Sequence, residues 1–273
     1  MQAQQTILIL GGSGKTGRRV AKKLIDRGQS VRIASRSTTP PFDWSDRRTW
    51  APVIRGADAI YLTYAPDLAV PGAGADIAEL SRLALEGGVK RVVLLSGRGE
   101  PQAAVNEQPL RESGLAFTVI RCAFFSQNFS EGAMLDSVRS GTVPFPAANV
   151  AEPFIDVEDI ADVAVAVLTE DGHAGKTYEL TGPRLLTFGE AVEEISQASG
   201  REVRYLPVTH DEYATTLASV FPAEVATFLG ELFRDLLDGH NSHLTDGVER
   251  VLGRKARDFR EFARTAAAAG AWS

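Results

Sequence analysis

Cysteine is almost missing from this chain: Cys122 is the only one in 273 residues. That excludes a disulfide framework and a thiolate metal cluster, and it fits a reducing cytoplasm. Long apolar runs are missing too. The opening stretch, MQAQQTILILGG, has too short an apolar run and no basic n-region for a signal peptide, and no later segment is apolar for long enough to span a bilayer. There is no excess of positive charge. A net charge of -6 argues against DNA or an anionic membrane as the main partner, so neither nucleic acid nor membrane is expected. Internal repeats and low-complexity linkers are absent, although the tail RTAAAAGAWS is rich in alanine. What is left is a globular composition, 44% hydrophobic and 23% charged, long enough for one large α/β domain with or without a small appendage.

The apolar pattern alternates between two periods in the first half. Thr6 to Leu10 is a short, fully apolar run, as expected of a strand buried on both faces. A glycine loop follows, then a helix from Arg18 to Arg27 with Val20, Ala21, Leu24 and Ile25 on one face and Gly28 as its stop. Strands are predicted at Ser30–Ala34, Ala57–Thr63, Lys90–Ser96 and Ala116–Arg121, with helices at Ser45–Arg55, at Ala75–Glu86 and one ending near Gly114. Such alternation implies a parallel, doubly wound sheet whose carboxyl edge carries the ligand loops. The second half is less regular. Pro144, Pro146 and Pro153 break it, Glu158–Thr169 reads as a helix and Lys176–Thr181 as a further strand, and the chain beyond Thr187 is mostly helical.

The loop Gly11-Gly12-Ser13-Gly14-Lys15-Thr16-Gly17 can be read two ways. A Walker loop needs a glycine five residues before its Gly-Lys pair, and that position is Ile9; the deviant form needs a lysine where Leu10 stands. The predicted neighbouring strands also end in hydroxyl residues rather than a metal-holding aspartate. The dinucleotide reading lacks nothing. Gly11 permits the turn after the strand, Gly14 lets the backbone approach a pyrophosphate, and Gly17 allows the helix to pack closely on the sheet. At the end of the second strand, Ser35, Arg36 and Ser37 offer no carboxylate for the ribose hydroxyls. Arginine there accommodates a 2′-phosphate, with Lys15 and Arg18 adding positive charge nearby, so NADP(H) is expected over NAD(H).

The segments TILILGGSGKTGRRVAKKLIDRGQSVRIASR, GADAIYLTYAP, GVKRVVLLS, RESGLAFTVIRCAFFSQNF, PFIDVEDIADVAVAVL and LGRKARDFREFARTAAAAGAW together resemble the NmrA-like branch of the atypical short-chain dehydrogenases/reductases, over essentially the whole chain. The resemblance implies a single unit over 1–273. Residues 1–122 and parts of 150–182 would form a Rossmann core, and parts of 123–149 and 183–250 a substrate cap. It also implies roles along the cofactor. The loop Gly11 to Gly17 would take the pyrophosphate, and Ser35 and Arg36 the 2′-phosphate. Asp43 and Trp44 would border the adenine, while Thr63, Tyr64, Ala65 and Pro66 pass the ribose. Ser96 and the Ala123–Phe124 segment would approach the nicotinamide.

The departure from that family concerns proton transfer. Short-chain reductases use a tyrosine with a lysine four residues later, but Tyr61, Tyr64, Tyr178, Tyr205 and Tyr213 are followed at that spacing by Ala65, Leu68, Gly182, Thr209 and Leu217. Two readings remain. In one, the enzyme reduces a carbonyl, quinone or enone of a small aromatic or polyketide-like compound, with the proton from water, from Ser96 or from the substrate. In the other, the protein binds NADP(H) without turnover and reports redox state to a partner. Oligomeric state is open between monomer and homodimer.

Other side chains have a functional and a plain reading. In SGRGEP, Arg98 would hold a substrate anion and Glu100 relay a proton, or the two would form a turn salt bridge. Phe124, Phe125, Phe129 and Phe145 would wall a flat substrate or pack in the core, with Gln127 and Asn128 as polar contacts. His240 and His243 lack a third ligand, so no metal is expected. Asp156, Glu158 and Asp159 precede a helix and are expected to cap it. Cys122 is expected to be buried and inert.

Overall fold

The computed structural model describes residues 5–273. In chain order the elements are β1 (Thr6–Leu10), α1 (Lys15–Asp26), β2 (Ser30–Ala34), α2 (Trp50–Ile54), β3 (Ala59–Leu62), α3 (Ala73–Glu86), β4 (Arg91–Gly97), α4 (Pro101–Asn106), α5 (Gln108–Glu112) and β5 (Ala116–Cys122). There follow α6 (Asn128–Glu131), α7 (Leu135–Ser140), β6 (Thr142–Phe145), β7 (Ala151–Glu152), α8 (Val157–Thr169), β8 (Lys176–Leu180), β9 (Leu186–Thr187), α9 (Phe188–Ser199) and β10 (Arg204–Pro207). Four helices close the chain: α10 (His210–Val220), α11 (Ala223–Leu236), α12 (Gly247–Leu252) and α13 (Phe259–Ala268).

Six parallel strands form the main sheet in the order β2-β1-β3-β4-β5-β8. The chain leaves β1 in one direction to make β2 and then crosses to its other side for β3. That reversal opens a crevice above the carboxyl ends of β1 and β3. The fully apolar β1 serves both faces: Ile7 and Ile9 pack toward α1 and α8, and Leu8 and Leu10 toward α2 and α3.

Two sequence expectations are corrected here. The predicted helix Ser45–Arg55 is a 3₁₀ turn, Arg47–Thr49, followed by the five-residue α2. Asp46 caps the turn by accepting from Arg48 N, and Pro52 within α2 has no N–H to extend a longer ladder. Ile25 is 55% exposed. The buried stripe of α1 runs through Thr16, Gly17, Val20, Ala21 and Leu24, and Ile25 lies about 100° around the axis from Leu24.

A third apolar cluster lies over the carboxyl edge. Its centre is aromatic, with Phe129, Phe145, Phe154, Phe188 and Phe259 in edge or tilted contact. The last residues belong to it: Trp272 is 1% exposed and donates its indole N–H to Phe129 O at 2.8 Å. Among the described residues, no helix is long and apolar enough to cross a membrane.

Candidate functional site

The glycine loop joins β1 to α1 at the crevice. Gly11 has a φ of +78°, a region that disfavours side chains. A Cβ at Gly17 would overlap Gly11 O, so only glycine lets α1 approach the loop this closely. Gly14 N donates to Gly11 O at 2.9 Å and closes the turn. A Cβ at Gly12 would strike Ile33, which ties the loop to β2. Gly14 caps α1 with no side-chain hydrogen bond, and the first turn carries no acidic residue. The positive end of the α1 dipole therefore stands without a counter-charge of its own.

A cavity of about 1120 Å³ begins there, against Gly11, Ser13, Gly14, Lys15 and Thr16, and runs the length of the crevice. Burial and the cations Arg18 and Arg19 hold the Lys15 ammonium below its ordinary value, and its Nζ donates to Asn128 Oδ1 at 2.8 Å. Arg18 is turned away from the loop into an ion pair with Glu131. Ser35 and Arg36 line the next section of wall. Arg36 is exposed and makes no hydrogen bond or ion pair among the described residues. Asp43 accepts from the N–H and hydroxyl of Ser45, which holds its carboxyl below the usual range. Trp44 donates to Thr63 O at 3.2 Å and lies 4.5 Å, centroid to centroid, from Tyr64, whose hydroxyl donates to Asp76. Ala65 and Pro66 continue this wall. An uncapped helix start, a half-buried lysine with cationic neighbours, an exposed arginine without a hydrogen bond and an aromatic shelf in one cleft fit a dinucleotide phosphate chain.

The far end of the cavity is apolar above and acidic below. Phe124, Phe125, Phe145 and Met134 line it together with Tyr213 of α10 and Leu229, Leu232, Phe233 and Leu236 of α11. Phe145 is 1% exposed and packs on Phe188 and Phe233, yet it still belongs to the cavity wall. Phe129 is fully buried among cap aromatics and does not line the cavity. Three carboxyl groups, Asp67, Glu100 and Glu152, reach the same space. The sequence reading missed Asp67, Glu152 and the α11 side chains. Nothing local marks an acid in a proline-broken stretch as cavity-facing, and the leucines of α11 look like any amphipathic stripe.

Several expected site residues hold structure instead. Arg98 is 3% exposed, and its guanidinium donates to the carbonyls of Asn241 and His243, at 2.9 and 3.1 Å, and to Glu179. It ties the β4 edge to the segment after α11 while also bordering the cavity. Gln127 donates to Asp156 at 2.7 Å and accepts from Val157 N at 2.8 Å, fixing the start of α8 rather than a ligand. Asp156 does cap α8. Glu158 instead pairs with Arg19 and Lys23, and the fully buried Asp159 with Arg254 and Arg257. His240 contacts the Asp238 carboxylate and Gly99 O. Cys122 is buried, and burial pushes its thiol well above the ordinary value.

Ser96 also changes role. Its hydroxyl donates to Glu107 Oε1 at 2.7 Å, beside charge-assisted bonds from Arg121 and Arg111. Burial alone would raise the Glu107 carboxyl, but hydrogen bonds from Arg121, Arg111 and Ser96 outweigh it and hold the group below its ordinary range. With Glu107 ionised, the Ser96 proton is committed to it and is not available to a substrate. The serine oxygen can still accept a hydrogen bond from the cavity it lines.

Comparison with known proteins agrees with this arrangement. A family model described as the NmrA-like family matches residues 101–266, more than half of the chain. An uncharacterised oxidoreductase of Bacillus subtilis, YesF, is 33% identical over 98% of this chain and 97% of its own. An NAD(P)H azoreductase of Xenophilus azovorans is 31% identical over 96% and 98%. In structure, the Escherichia coli NADPH-dependent quinone oxidoreductase in complex with NADPH superposes with a TM-score of 0.79 at 20% identity, over 95% of this chain and 99% of that one, and so shares the fold. The protein belongs to the NmrA-like family, and within it is an NAD(P)H-dependent reductase with a Rossmann-type parallel sheet.

Proposed function

We propose that this reductase takes NADPH in preference to NADH and delivers hydride to a flat, conjugated small molecule such as a quinone, an enone or an aromatic ketone. The observation that carries the cofactor choice is Arg36: an exposed guanidinium just after β2, between Ser35 and Ser37, that makes no hydrogen bond or ion pair among the described residues and has the Asp43 carboxylate as a charged neighbour. A 2′-phosphate would complete it with charge-assisted bonds. The bound dinucleotide supplies hydride. Around it, the α1 terminus and Lys15 would hold the phosphates, the Trp44–Tyr64 shelf would border the adenosine, and Ser96 would accept from the nicotinamide end. The wall of Phe124, Phe125, Phe145 and Phe233 supports a planar, ring-bearing acceptor, because ring stacking and apolar burial both favour one.

Titration of the purified protein with NADPH and NADH tests the first half, and a panel of quinones, enones and ketones the second. Arg36→Ala should weaken NADPH by about 10- to 100-fold, the worth of one or two hydrogen bonds to a charged group, and NADH by less than about threefold. Equal losses for the two cofactors would remove Arg36 from the assignment.

A further inference from the structure

The missing Tyr–Lys pair leaves open which group gives the proton that follows hydride. Two tyrosines line the cavity, and neither suits the task. Tyr64 is bonded to Asp76, and burial raises both Tyr64 and Tyr213 above the ordinary phenol value with no lysine to oppose it. Ser96 is committed to Glu107. Glu100 remains, on the turn between β4 and α4 at the carboxyl edge of the sheet.

Its position is built rather than incidental. A Cβ at Gly97 would overlap the whole Glu100 carboxyl, so the group lies folded against the last residue of β4 in space that only glycine leaves. The carboxyl lines the cavity, yet its Oε2 is buried with no hydrogen-bond partner among the described residues. Native proteins seldom leave such an atom orphaned unless a ligand completes it. Glu152 repeats the pattern on the same cavity: it is 4% exposed and its Oε1 is also unpartnered. Resting on the reductase reading above, we propose that Glu100 is the proton donor of this enzyme, acting as a neutral carboxylic acid in place of the tyrosine of typical short-chain reductases.

The electrostatics agree with that role. Burial, then the charges of Asp67 and Glu107, push Glu100 up to about 8. Cys122 also faces it, and burial holds that thiol neutral and well above its ordinary value. Across the cavity Glu152 is itself pushed up to about 7 by burial, against the pull of Arg98 and His240. No cation makes an ion pair or hydrogen bond with Glu100 among the described residues. At neutral pH the group therefore keeps its proton. In the reaction, hydride forms a C–H bond at the acceptor carbon, the π pair of the C=O moves to oxygen, and that oxygen takes the Glu100 proton to form O–H. The cofactor leaves oxidised by two electrons, and the Glu100 carboxylate regains its proton from water at the cavity mouth.

Glu100→Gln keeps the shape and loses the proton. Expected is a fall in kcat on a quinone or ketone of about 10²–10⁴-fold, with NADPH affinity within about twofold. The wild-type kcat should be level below pH 8 and decline above it, and the variant should lose that limb. Gly97→Ala, which displaces the carboxyl while leaving it in the chain, should reproduce the slow phenotype. A delocalised carbocation dye becomes neutral on taking hydride and needs no proton, so its reduction should be equally fast in wild type and Glu100→Gln. The protein without cofactor gives a second readout. A carboxyl raised by the fold makes wild-type stability decline between the unfolded value near 4.5 and about 8, and Glu100→Gln should flatten that decline in a Tm-against-pH series. Full kcat in Glu100→Gln with an unchanged alkaline limb, equal slowing of the cationic dye, or an unaltered Tm profile would each overturn the assignment. Wild-type protein that binds NADPH yet reduces no acceptor would sink the reductase reading itself, a different failure.

Discussion

Two helices of nearly equal length, α8 against the sheet and α11 against the cavity, are built by different rules. Of the 13 residues of α8, ten are buried: Val157, Ile160, Ala161, Val163 through Leu168, and Asp159, whose charge is paired. Of the 14 residues of α11, only Ala226 is buried, and its partner α10 buries only Leu217. The turn between them leaves Val220 68% and Phe221 36% exposed. Yet α11 is not polar. Leu229, Leu232, Phe233 and Leu236, at helical spacing, face the cavity instead of a core. The sheet side is held by packing whatever is bound, whereas the α10–α11 hairpin has part of its apolar face waiting for a ligand. In the function proposed above, the first side backs the cofactor loop and the second meets the acceptor.

The comparison breaks most visibly if the core is cut. Ile160→Ala opens a cavity in a fully buried site and should cost about 3 kcal/mol in denaturant unfolding, with kcat per folded molecule unchanged. A loss below about 1 kcal/mol would mean that α8 is not the rigid side. Phe233→Ala makes the opposite cut. It should cost about 1 kcal/mol or less in stability but raise KM for a ring-bearing acceptor about tenfold, with NADPH affinity unchanged, because the ring lines the cavity where the proposed acceptor would lie. If stability falls as far as in Ile160→Ala, the hairpin is core and the contrast disappears.

The same division governs what could be read in advance. The sheet and its flanking helices were legible because residues such as Ile7 to Leu10 and Val163 to Leu168 are apolar for one local reason, burial against a fixed neighbour. The glycine loop was legible because backbone geometry at Gly11 and Gly17 admits one residue type. Arg98 and Gln127 misled for the converse reason. A polar side chain beside a cleft looks like a ligand contact, and only the folded chain brings Asn241, His243 and Asp156 to meet it. Ser96 was brought to the strand end, but its proton is committed because Arg111 and Arg121, 4 and 14 residues from Glu107, keep that carboxylate an anion. Asp67 and Glu152 carry no local mark at all.

The finest test uses a device that both halves of the cap share. Thr187 caps α9 in a reciprocal box with Glu190, and Thr209 caps α10 in an identical box with Glu212. Replacing either threonine by alanine removes one acceptor from a helix start and costs that helix about 1 kcal/mol. Helix α9 buries Phe188, Ala191, Val192 and Ile195 in the aromatic cluster, so its loss should be felt by the whole molecule: Thr187→Ala should lower global unfolding stability by about that amount. Helix α10 is joined to the rest mainly through α11. Thr209→Ala should therefore leave global stability within a few tenths of a kcal/mol while speeding amide hydrogen exchange across α10 and α11, because a weakly anchored unit opens below the global transition. Acceptor KM should rise a few-fold with it, since each opening removes the Phe233 wall. Equal global losses from the two substitutions would show one cooperative unit, and then the hairpin could not choose substrates independently of the sheet that holds the cofactor.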